Sequence, residues 1–171
     1  MDVVDNLSKY LDIAKNSFDE AWLKHEYEKI NKYYNTDKNT IVLGPIEDYA
    51  NSLALLLYQA EKNISERKTN SKIFITNETV DTIRLGTYIE TLKNSNTAGL
   101  AEKLEELKIA DKNNFEKIIN ELDFASGFVK SNHTVEFIKT RSDQSQRTPD
   151  LLVDKNIEIE CKKKNKLTDR D

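Results

Sequence analysis

The sequence predicts an α+β, mostly helical fold: a helical region over residues 1–110, then one further helix and three short strands over 111–171. Apolar residues recur at three- and four-residue steps through most of the first 130 positions, the spacing of helices with one buried face. Near residue 135 that period drops to two, the spacing of strands. Only 4 Gly and 2 Pro occur in 171 residues, so few positions interrupt a helix. With 33% charged and 37% apolar residues, the composition is that of a folded chain, not a disordered one.

From the start, Leu7, Leu11, Ala14, Phe18, Trp22 and Tyr33 predict one or two amphipathic helices between Val4 and Tyr34, their aromatics in the core. Asn35 to Asn39 is a turn cluster. Pro45 then suits the first turn of a helix running through Leu53, Leu56, Leu57 and Ala60 to about Ile64. Residues 65–71 are polar and read as a loop, and Ile73-Phe74-Ile75 as a short strand or a helix approach. Helical spacing returns over 77–92 and 97–109, broken at Asn94-Ser95-Asn96, and again over 114–129.

Val135 to Ile138 reads as a strand, and the stretch from Arg141 to Thr148, without an apolar residue, as an exposed loop. Asp150 to Val153 and Ile157 to Lys162 then form a hairpin. With Asp154-Lys155-Asn156 as a three-residue turn and Asn156 in the left-handed position, Val153 faces Ile157, Leu151 faces Ile159 and Asp150 faces Glu160. A two-residue turn would instead put the two acids on different faces.

In the three-residue register, Leu151, Val153, Ile157, Ile159 and Cys161 form an apolar face, while Asp150, Glu160 and Lys162 share the opposite one. Facing carboxylates on paired strands repel at roughly 5 Å, and a divalent cation relieves that repulsion. Oxygen ligands favour hard ions, Mg²⁺ or Mn²⁺, and a lysine beside them can orient a water or neutralise a phosphate. An ordinary amphipathic hairpin with an acidic and basic polar face fits the same spacing.

Pro149-Asp150 followed by Glu160-Cys161-Lys162 resembles the Pro-Asp…(Asp/Glu)-x-Lys motif of the restriction-endonuclease-like nuclease superfamily, PD-(D/E)XK. The order helix, strand and two motif strands over 111–171 is similar as well. The resemblance implies metal-dependent hydrolysis of phosphodiesters, with Asp150, Glu160 and the Cys161 backbone carbonyl on the metal and Lys162 assisting. It also implies a further acid on the preceding helix, where Glu121 falls about 50° from the centre of the apolar arc formed by Phe115, Ile118, Ile119, Leu122, Phe124, Ala125, Phe128 and Val129. A carboxylate there is costly unless paired or metal-bound; the other reading of Glu121 is an ion pair with Lys117. The family's core continues with a helix and a strand, whereas only Asn165 to Asp171 follow the motif here. The implied core is therefore incomplete, and its open sheet edge predicts strand addition or self-association.

Net charge is −4, but from Lys130 onward 10 basic residues face 8 acidic ones, against 16 and 22 before it. The mildly basic tail, with Lys163, Lys164 and Lys166 beyond the motif, permits DNA as partner. The single Cys161 and 2 His exclude an internal disulfide and a zinc site within one chain. No apolar run approaches a membrane span and the first residues lack a signal-peptide pattern, so a cytoplasmic protein without membrane contact is expected. A second reading is a catalytically silent interaction protein, whose helical region binds a protein partner and whose hairpin is a remnant.

Overall fold

A computed structural model describes residues 3–36, 44–70, 76–139 and 148–162. Among these residues six α-helices are followed by three strands: α1 Val3–Lys15, α2 Glu20–Asn35, α3 Ser52–Asn70, α4 Asn77–Asn94, α5 Leu100–Ile109, α6 Lys112–Lys130, β1 Val135–Phe137, β2 Leu151–Val153 and β3 Ile157–Ile159. The mostly helical α+β class and the element order from α6 to β3 are as the sequence predicts. Ile73-Phe74-Ile75 and most of the loop expected over 141–148 lie outside the described residues.

Three helix starts are set locally by side chains that accept an orphan backbone N–H: Asp19 from Trp22, Thr76 from Thr79 and Asp111 from Asn114. The helix expected to begin at Pro45 is two pieces instead, a 3₁₀ turn Ile46–Asp48 and then α3, which continues to Asn70 through most of the stretch expected as a loop over 65–71. Asn51 causes the restart. Its amide oxygen takes the N–H groups of Leu53 and Ala54 at 3.0 and 3.2 Å, and its amide nitrogen donates to the Lys108 carbonyl of α5 at 2.8 Å.

Among the described residues one core runs from Leu11 and Ile30 through Leu57, Leu85, Ile89, Leu107 and Leu122 to Leu151, Val153 and Cys161, continuous across residue 110. Helix α6 turns Ile118, Glu121, Leu122, Ala125 and Ser126 inward. Phe124, expected in that arc, lies about 120° round the helix from Ile118 and is 50% exposed. Among the described residues no helix is long and apolar enough to cross a membrane.

The strands make an antiparallel sheet in the order β1-β2-β3, Leu151 standing opposite both Phe137 and Ile159. On its other side β1 meets the turn before α5, where the Phe137 N–H reaches the Ala98 carbonyl at 2.9 Å. That approach needs glycine next: Gly99 has φ +75°, and a Cβ on it would lie 2.6 Å from the Phe137 carbonyl oxygen.

The hairpin register is the predicted one, Val153 opposite Ile157. Its left-handed residues, however, are Asp154 and Lys155, at φ 50° and 64°, and not Asn156. Asp154 holds that conformation because both its carboxylate oxygens are engaged. Oδ2 lies 2.7 Å from His133 Nδ1, Oδ1 accepts from the Thr134 N–H at 3.0 Å and its hydroxyl at 3.2 Å, and the Asp154 N–H returns to the Thr134 carbonyl. Ile157, expected on the apolar face, follows this turn and is 49% exposed.

The Asp154 carboxyl is held below its ordinary 3.8 by His133 first, and then by Thr134. A carboxyl depressed on folding stabilises the native chain above its unfolded pKa, and that contribution is lost as pH falls through the lower, folded value. Asp154→Asn is therefore expected to lower the urea midpoint at neutral pH and to match the parent chain well below pH 3.8. A deficit independent of pH would show that the charge of Asp154 contributes nothing.

Candidate functional site

The site forms where β2 begins. Leu151 already stands opposite Ile159, yet the Asp150 N–H also bonds the Ile159 carbonyl, at 2.9 Å. Two residues of one strand thus face one of the other, a β-bulge, which re-aims the side chain of the extra residue. The Asp150 carboxylate is fixed there, its Oδ2 accepting the Cys161 N–H at 2.7 Å. Asp150 consequently does not share a face with Glu160, as the regular register requires. It turns towards α6, with its side chain only 14% exposed.

On α6, Glu121 is 1% exposed. Lys117, one helical turn earlier, places its Nζ 3.4 Å from Glu121 Oε1 and 3.4 Å from Asp150 Oδ1, so one ammonium joins the helix acid to the strand acid. The carboxylate is thus ion-paired to Lys117, the other reading of the Glu121 position, and shares that cation with Asp150.

A second cation closes the inner side. Lys103 of α5, 6% exposed, puts Nζ 2.7 Å from Glu106 Oε2 and 2.9 Å from Glu121 Oε2. The contact with Glu121 falls outside hydrogen-bond geometry, which leaves Oε2 buried and paired by charge alone. Burial pulls the Lys103 ammonium down, but the carboxylates of Glu106 and Glu121 outweigh it and hold it above the ordinary lysine value. Lys117 is raised in the same way, burial being overcome by Glu121 and Asp150.

Glu160 and Lys162 lie to the outside. Lys162 Nζ is 3.3 Å from Glu160 Oε2, and the two side chains are 65% and 45% exposed respectively. Among the described residues no group of three or more His, Cys, Asp or Glu side chains is gathered so as to hold a metal ion. The arrangement therefore unites Glu121 with Asp150, and Glu160 with Lys162, as two separate pairs. Lys163, Lys164 and Lys166 lie outside the described residues.

Cys161 is buried, as its place on the apolar face requires. Burial first, and then Asp150 and Glu121, push its thiol up to about 12, so it stays protonated and is no nucleophile at neutral pH.

The residue that sequence reasoning missed is Lys103. Its signal was present: Leu100, Lys103, Leu104 and Leu107 share one helical arc, and a lysine in an apolar arc requires a buried counter-charge. The bulge at Asp150 carried no such signal, because it is set by how the strand meets its neighbours. No protein-family model matches the chain, and neither a curated protein nor a solved structure gives a significant match.

Proposed function

We propose that the chain is a Mg²⁺- or Mn²⁺-dependent nuclease domain that hydrolyses phosphodiester bonds, with DNA as its substrate. The observation that carries this reading is the convergence of Glu121 from the helix and Asp150 from the strand on one positive charge. These two acids suit a hard cation. Both are oxygen donors drawn from the rigid part of the fold, and Glu121 Oε1 and Asp150 Oδ1 are the oxygens turned to the shared ammonium. The motif would add Glu160, the Cys161 carbonyl and Lys162 to the assignment, with Asp150, Glu160, Cys161 and Glu121 as metal ligands, although in this structure Glu160 stands with Lys162 on the outer side of the hairpin.

Such an ion, when bound, polarises the phosphate and acidifies a water. The chain's own residues do the rest. Asp150, held by the Cys161 N–H, keeps a fixed orientation; Lys103 balances the charge of Glu121 from within; Lys162, exposed at the end of the hairpin, reaches a phosphate or the attacking water. A role in restriction or anti-phage defence follows by analogy with the superfamily alone.

A second reading, a catalytically silent interaction protein with a remnant hairpin, is favoured by one feature. The Glu160–Lys162 pair stands apart from Glu121 and Asp150, whose charges the chain already balances with its own lysines. Incubation of plasmid and linear DNA with Mg²⁺ or Mn²⁺ separates the two. The nuclease reading expects cleavage that falls by about 100-fold or more in Lys162→Ala, the usual scale of a lost group in proton transfer, and that disappears in Asp150→Ala. Intact DNA with every chain and either ion would leave the interaction protein as the better account.

A further inference from the structure

The four charged groups at the junction of α5, α6 and β2 are not equivalent. Lys103 is buried, with short contacts to Glu106 and Glu121, and has nowhere to go. Lys117 is 54% exposed, and both its contacts are longer, 3.4 Å to Glu121 and 3.4 Å to Asp150. Its stem starts on the outer face of α6, so rotation about its flexible side chain carries the ammonium into water without moving the helix. Glu121 and Asp150 have no such freedom, the one buried in the core and the other held by the Cys161 N–H.

We infer that Lys117 is an internal, displaceable counter-ion that occupies the space between Glu121 and Asp150 and competes there with a divalent cation. This inference rests on the nuclease reading and adds a control to it. The two acids cannot face each other uncompensated in a partly buried site, because their mutual repulsion is weakly screened. In the absence of a divalent ion Lys117 supplies the missing charge and keeps the pair together. Entry of an ion to the same acids requires Lys117 to leave, since an ammonium and a dication at one spot repel. The chain therefore sets its own threshold of metal concentration, and the released ammonium remains beside the site, available to an anionic substrate.

Mn²⁺ titration followed by electron paramagnetic resonance, which reads free Mn²⁺, tests the competition without any substrate. The full chain is compared with Lys117→Met, Lys117→Arg and Asp150→Asn. Lys117→Met is expected to bind Mn²⁺ about tenfold more tightly than the parent, the scale of one ion-pair coupling. Lys117→Arg, which keeps the charge, should stay within a factor of about two of the parent. In thermal melting without divalent ions, Lys117→Met should unfold earlier than the parent and regain the difference when Mn²⁺ is added.

Equal or weaker Mn²⁺ binding by Lys117→Met, in a chain that still melts cooperatively, overturns the competition. If in that case Asp150→Asn nonetheless abolishes binding, the metal site stands and only the role of Lys117 is wrong. No Mn²⁺ binding by any chain at millimolar concentration overturns both. Should Lys117→Met melt early and stay so in Mn²⁺, the lysine is merely a structural tie.

Discussion

Replacing Lys103 by alanine is expected to cost about 3–5 kcal/mol, the range for breaking a buried ion pair from one side. The side chains of Lys103 and Glu121 are 8% and 1% exposed, so solvent cannot take over the lost partner. Without Lys103, Glu121 keeps Lys117 at 3.4 Å, shared with Asp150, as its remaining cation among the described residues. Such a loss is a large part of the stability of a domain this size. The prediction has an internal control. Lys103→Met combined with Glu121→Met removes both charges and keeps volume, and should recover most of the loss, since apolar replacements of buried pairs are often neutral or better. Urea denaturation of the two single variants and the double variant gives the coupling directly. A cost below about 1 kcal/mol for Lys103→Ala, typical of surface pairs, would mean that the network is wet.

Gly86→Val is expected to be comparably severe, for a steric reason. Gly86 lies where α4 crosses α1, and a Cβ there would stand 2.4 Å from the Tyr10 carbonyl oxygen and 2.7 Å from its Cβ. Both obstacles are fixed: the carbonyl belongs to the α1 backbone, and the Cβ is the first atom of the Tyr10 side chain, bonded directly to that backbone. Insertion of a side chain must therefore drive the helices apart and loosen the packing of Leu11 and Ala14 against Leu85 and Ile89. Overpacking typically costs about 1–3 kcal/mol and more where neighbours cannot yield, so Gly86→Ala should lie within that range and Gly86→Val beyond it. Circular dichroism melting checks the order. Retention of the parent melting temperature by Gly86→Val would show that α1 is not held against α4 in solution.

Gly86 illustrates how much of this fold was legible in the sequence. The helix containing it was plain from Leu85, Ile89 and Leu92, whose spacing is a local property of the chain. That α1 passes close enough to require glycine was not, because no pattern within 77–92 refers to Tyr10. Likewise, the division of α3 from Pro45 was hidden because Asn51 caps the helix while bonding α5, 57 residues away in sequence. The exposure of Phe124 depended on where α6 is covered, and not on its own periodicity.

By itself the sequence determined the helical class, the order from α6 to β3 and the burial of Cys161, and it held the register of Val153 with Ile157 and the pairing of Glu121 with Lys117 among its alternatives. All of these follow from periodicity and short-range geometry, which a chain carries wherever it goes. Only the tertiary structure decided that Asp150 turns to the helix through a bulge, that Lys103 comes from α5 to meet Glu121, and that Glu160 stays outside with Lys162. Those outcomes depend on which backbone groups of distant segments find each other and which charges are buried together. Apart from the buried lysine that the apolar arc of α5 announces without naming its partner, such long-range constraints leave no spacing in the sequence from which they can be read.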